Sequence, residues 1–145
     1  MTVTEITVRA KAAALKLTHL STVEKNSALE KMAQALEANS SVILEANRKD
    51  LEFAKQENIP GPLFARLVLD EAKVKSMARG IRSVCQLPDP VGLDKSVMEM
   101  DKGLVLHQVT CPIGVIGAIF ESRPDAVPQI ASLCLKSGNA VILKG

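Results

Sequence analysis

The chain has 145 residues, the length of one domain or of a piece of a larger one, and a net charge of +2 with acids interspersed among the bases, which argues against a nucleic-acid partner. Hydrophobic residues make up 47% and aromatics only 2%, so a core must be built from Leu, Ile, Val, Ala and Met, with few platforms for stacking bases. No stretch approaches a membrane span, and the N-terminus lacks the apolar region of a signal peptide.

The first half has helical periodicity. Thr2 and Glu5 stand three apart, as do Ser21 and Glu24, and each pair can form a reciprocal capping box. The spacing then predicts one helix with Ile6, Ala10, Ala13 and Leu17 on its inner face, and a second with Leu29, Met32, Ala33 and Leu36. Asn39 reads as a joint before a third helix from about Ser41 to Glu57. Pro60, Gly61 and Pro62 signal a loop. Near Asp70 a fourth helix begins, with Val74, Met77, Ile81 and Val84 facing inward, and it stops before the linker LPDPVG.

From Ser96 the pattern alternates and carries Asp101-Lys102-Gly103 where a hairpin turn would sit, with His107 as a strand-surface residue. VIGAIF is a continuous apolar run, as in a strand buried on both faces, and AVILK is a second such strand. Between them Val127, Ile130, Ala131, Cys134 and Leu135 fall at helical spacing, and Gly138-Asn139 is a helix stop. Strand, helix and strand predict a parallel pair. No internal repeat is present. Three widely spaced cysteines, Cys85, Cys111 and Cys134, fit no disulfide or zinc pattern, and a reducing, cytoplasmic setting follows.

In an open parallel sheet, ligands sit beyond the carboxyl ends of the strands. Glu121, Ser122, Arg123 and Asp125 follow the first strand, and Lys144-Gly145 follow the second, so both groups mark a candidate ligand edge. The alternative is a plain helix entry, with Asp125 as cap and Arg123 paired to Glu121. Gly114 and Gly117 do not make the dinucleotide fingerprint.

The stretch CPIGVIGAIFESRPDAVPQIASLCLKSGNAVILKG resembles the start of the cofactor domain in the gamma-glutamyl phosphate reductase (glutamate-5-semialdehyde dehydrogenase) family of the aldehyde dehydrogenase superfamily. The shared features are P-x-G-V-x-G, E-S-R-P and S-G-N-A-V-I-L-K-G. LEANRKDLEFAKQ and LPDPVG resemble that family's helical N-terminus and linker. The resemblance implies an α/β, aldehyde dehydrogenase-like fold. Residues 1–95 would form the helical segment and 96–112 a β-hairpin arm. Residues 113–145 would be the first strand–helix–strand of a Rossmann-like NADP-binding sheet, incomplete here.

It also implies NADPH-dependent reduction of L-glutamyl 5-phosphate to L-glutamate 5-semialdehyde and phosphate, the second step of proline biosynthesis from glutamate. The partner is this small-molecule substrate, with no nucleic acid and no membrane, and the full-length enzyme is a homo-oligomer. Lys144 matches the superfamily lysine at the adenosine ribose or its 2′-phosphate, and Glu121, Ser122 and Gly145 would join it at the cofactor. Arg123 stands where the wider superfamily has an oxyanion-holding Asn, and a guanidinium there can grip an acyl phosphate bidentately. The family's cysteine nucleophile matches none of the three cysteines and lies downstream of this segment, so the chain reads as an N-terminal portion without activity of its own. Another aldehyde dehydrogenase, or a non-catalytic helical assembly module, is the rival expectation.

Overall fold

The computed structural model describes residues 1–145, and both capping boxes form. Helix α1 (Val3–Leu17) opens with Thr2 Oγ1 accepting from Glu5 N at 3.2 Å and Glu5 Oε2 accepting from Thr2 N at 2.7 Å. Ser21 and Glu24 do the same for α2 (Thr22–Ala38). Such pairs satisfy amides that a helix start leaves bare. Asn39 closes α2 by donating from Nδ2 to Ala35 O at 2.7 Å, and α3 (Ser40–Gln56) follows at once. In α1, Ala14 is buried, whereas Ala13, expected on the inner face, is exposed.

The expected loop at Pro60–Pro62 is instead the start of a short helix, α4 (Gly61–Leu67). Proline costs nothing in a first turn, where the missing N–H has no partner anyway. Helix α5 (Glu71–Gln86) is capped by Asp70 Oδ1, which accepts from Lys73 N at 2.7 Å. Its inner face carries Val74, Ile81 and Val84 as spaced, with Ala78 buried in place of the expected Met77, which is half-buried.

The core lies between α2 and α5. Leu29 and Ala33 meet Ala78, Ile81 and Val84, with Met32, Leu36, Cys85 and Leu135 packed around them. Seventeen of 145 residues are buried, so this seam carries much of the packing. Burying Leu29 and Ile81 contributes about 1.5–3 kcal/mol each. At its outer edge Arg82 grips Glu37 with two bonds of 2.7 and 2.8 Å and reaches Glu30 at 3.1 Å. The hydrogen bond from Arg82 holds the Glu37 carboxyl below its ordinary range.

Strands β1 (Asp94–Asp101) and β2 (Leu104–Val109) form the antiparallel hairpin, turning at Lys102-Gly103 with Gly103 at φ +78°. Every residue in both strands is exposed. His107 Nδ1 lies 3.3 Å from Asp94 Oδ1, an exposed pair on the strand surface.

Strands β3 (Val115–Ile119) and β4 (Ala140–Lys144) are parallel, with Val115 opposite Ala140 and Ile119 opposite Lys144. Helix α6 (Ala126–Lys136) crosses between them. The apolar run of β3 is not buried on both faces: Ile119 is 87% exposed, and α1 is the helix packed on this strand. Helix α6 also departs from expectation. Its buried residues are Ala126, Ser132, Cys134 and Lys136, whereas Val127 is exposed.

Helix α6 ends in a Schellman motif. Gly138 N donates to Leu135 O and Asn139 N to Cys134 O, while Gly138 takes φ +72°. A Cβ on Gly138 would stand 2.9 Å from Pro112 Cγ, so the left-handed turn and the close approach both require glycine. Asn139 then accepts from Gly114 N at 2.8 Å, and Ala140 N donates to Gly114 O at 2.9 Å. Those bonds lock the register that sets the two strand ends side by side.

Candidate active site

The parallel ladder runs one step past β3, where Phe120 N donates to Lys144 O at 3.0 Å. Ser122 then takes φ +50°, a left-handed conformation uncommon for a side-chain-bearing residue, and the chain reverses into α6. Glu121 to Asp125 and Lys144-Gly145 are therefore brought to one edge of the sheet, as the sequence pattern anticipates.

The edge divides into two parts. Arg123 and Asp125 line a cleft of about 660 Å³ between α5 and α6, a volume within the range of small-molecule sites. Met77, Gly80 and Ser132 also line it. Glu121, Ser122, Lys144 and Gly145 lie outside that lining. Arg123 Nη2 donates to Asp125 Oδ2 at 3.3 Å, not to Glu121, and both side chains are about half exposed (51% and 47%). Asp125 makes no side-chain cap on α6, because its carboxylate faces Arg123 instead. An exposed pair of this length contributes little stability, so the guanidinium is free to take another anion.

The cleft rim is built by a residue that periodicity alone overlooks. Asn47, 4% exposed, donates from Nδ2 to Leu67 O at 2.8 Å and accepts from Leu69 N at 2.9 Å. It pins the segment joining α4 to α5, where Val68 and Leu69 line the cleft. The available signal was an Asn in the middle of an apolar helical stripe that includes Leu44, Leu51 and Ala54.

On the other part of the edge, Lys144 is exposed, pairs with no Asp or Glu side chain, and donates from Nζ to Gly145 O. A cation there that meets no acidic side chain fits an anionic phosphate. The nearby Glu121 carboxylate fits a hydroxyl donor, not a phosphate. A Cβ on Gly145 would stand 3.0 Å from the Phe120 ring, so the chain passes close to that side chain.

Two buried cations escaped notice in the sequence. Lys25 is 2% exposed and meets Asp89 Oδ2 at 2.5 Å. Burial alone would raise the Asp89 carboxyl, but bonds from Lys25, Thr22 Oγ1 and Val91 N hold it below its usual value. Lys136, 3% exposed, donates to Asn26 Oδ1 at 2.7 Å and Cys85 O at 3.2 Å. Burial pushes the Cys134 thiol up, and the Cys85 thiol lies against the Asn26 and Ile81 carbonyls. No three His, Cys, Asp or Glu side chains come together in a metal-holding group, and no helix is long and apolar enough to cross a membrane.

No family model matches the chain. Over all 145 residues it is 51% identical to a gamma-glutamyl phosphate reductase of Pelotomaculum thermopropionicum, of which it spans 33%. It is 54% identical over 142 residues to the protein of the same name from Methanosarcina barkeri, covering 95% of this chain and 32% of that one. The crystal structure of gamma-glutamyl phosphate reductase from Saccharomyces cerevisiae superposes with a TM-score of 0.92 at 42% identity, over 100% of this chain and 37% of that one. The structure from Thermotoga maritima gives a TM-score of 0.88 at 37% identity, over 92% and 32%. The chain thus spans about a third of the length of the curated relatives it matches.

Proposed function

We propose that this relative of the gamma-glutamyl phosphate reductases serves, within a longer polypeptide, in the NADPH-dependent reduction of L-glutamyl 5-phosphate to L-glutamate 5-semialdehyde and phosphate, the second step from glutamate to proline. One observation carries the reading: Arg123 leaves the end of β3 and lines the cleft between α5 and α6. Acyl transfer from phosphate needs positive charge where negative charge gathers, and a guanidinium supplies a planar, two-pronged donor. Arg123 would hold the phosphoryl group or the carbonyl oxygen, exchanging its loose contact with Asp125 for a tighter one.

None of Cys85, Cys111 and Cys134 lines the cleft, so the attacking thiolate would come from elsewhere in the enzyme. Burial also pushes the Cys134 thiol up, away from the thiolate form. NADPH, when bound, supplies the hydride. At its adenosine end Lys144 would meet the 2′-phosphate, Ser122 and Glu121 the sugar hydroxyls, and Gly145 would let the chain pass close beside Phe120.

Lys144→Ala in the full-length enzyme is therefore expected to weaken NADPH more than NADH, by about five- to thirtyfold at low salt. The gap should narrow as salt rises, because screening acts on the phosphate contact. Titration of both nucleotides by fluorescence is the check. An unchanged NADPH-to-NADH ratio would remove Lys144 from the 2′-phosphate.

A further inference from the structure

We infer that Arg66 and Lys73, on the α4–α5 wall of the cleft, hold the α-carboxylate of the amino-acid substrate, opposite in role to Arg123 at the acyl phosphate. The inference rests on the proposed reaction and deepens it by assigning the substrate's second anionic end. Four ionisable side chains line the cleft: Arg66, Lys73, Arg123 and Asp125. Asp125 already faces Arg123. Neither Arg66 nor Lys73 is paired with a carboxylate, so the α4–α5 wall carries two unmatched cations.

A ligand with one anionic group would match the loop and leave this wall unsatisfied, whereas a γ-glutamyl phosphate carries an anion at each end. The wall is also held in place. Lys73 Nζ donates to Val68 O, and buried Asn47 bonds both Leu67 O and Leu69 N on either side of it. Two of the three Lys73 ammonium protons stay available to a ligand. A concave surface with one sign of charge in excess draws anions in and orients them.

The test uses the full-length enzyme with two aldehydes in NADP-linked, phosphate-dependent oxidation: glutamate 5-semialdehyde, and butanal, which lacks the amino-acid head. In Lys73→Met and Arg66→Gln, the ratio of kcat/KM for the semialdehyde to that for butanal should fall about tenfold, mostly through KM. Both aldehydes are read on the same sample, so a reduced folded fraction cancels from the ratio. A ratio within about twofold of the parent overturns the inference. Arg123→Lys separates the two levels. If it lowers both aldehydes while the wall variants keep the ratio, only the carboxylate assignment fails. If all three substitutions leave both aldehydes unchanged, the cleft is not the substrate site.

Discussion

Arg123→Lys in the full-length enzyme is expected to lower kcat/KM for glutamyl phosphate about ten- to a hundredfold, although the charge is kept. Lys offers a point charge on a flexible stem and lacks the planar fork that matches a phosphoryl group. The partner Arg123 has in this structure is weak: Asp125 at 3.3 Å, with both side chains about half exposed. A surface ion pair of that sort contributes about 0–1 kcal/mol, so losing it alone would change turnover within about twofold. Steady-state kinetics with glutamyl phosphate tells the two apart, and a change within twofold would retire Arg123 from the site. Folding should be spared, because Arg123 is about half exposed and is not a member of the core cluster.

Lys25→Met is expected to destabilise the helical layer by about 3 kcal/mol, the lower end for breaking a buried ion pair. The Lys25 side chain is 3% exposed and that of Asp89 is 16%, so removing the ammonium strands a largely enclosed carboxylate. The lower end applies because Thr22 and Val91 N still donate to Asp89. Hydrogen exchange at α2 amides in the full-length enzyme should report the loss as faster opening. Because Asp89 titrates below its ordinary 3.8, the pair's contribution is complete above that pH and fades as pH falls through the lower folded-state value. The difference between parent and variant should therefore shrink in acid. Equal protection at neutral pH would show that the pair contributes nothing.

Local chemistry made much of this fold legible. Two capping boxes, the Asp70 start, the turn at Lys102-Gly103 and the Gly138 stop all depend on residues a few positions apart, and all form. The strand–helix–strand unit followed from a change of period, and its parallel register follows from Asn139. What stayed hidden depends on partners far away in sequence. Lys25 finds Asp89 and Lys136 finds Asn26 only once α2, α5 and α6 pack, and a lysine on a helix otherwise reads as solvated. Pro60–Pro62 read as a break because prolines start helices as readily as they end them. The burial of β3 was overestimated because an apolar run reports what a strand requires, and in this chain Ile119 remains open and no β3 residue is fully buried.

At the candidate site, the shared strand edge was visible in the sequence. Residue pattern alone did not divide it; only the family resemblance set Arg123 apart from Glu121, Ser122, Lys144 and Gly145, and in the structure Arg123 lines the cleft while those four do not. The α4–α5 wall had no signal at all, since Arg66 and Lys73 become neighbours of Arg123 only through the cleft.

The most direct measurement grafts residues 1–145 in place of the matching third of the Pelotomaculum thermopropionicum gamma-glutamyl phosphate reductase, 51% identical over that span. The chimera is purified, shown to melt cooperatively, and assayed for phosphate-dependent NADP reduction with glutamate 5-semialdehyde. Turnover that requires phosphate, and that falls about ten- to a hundredfold with Arg123→Lys, is the expected result. A folded chimera without turnover, or one whose turnover ignores Arg123, would contradict the assignment of this segment to the substrate side of the reductase.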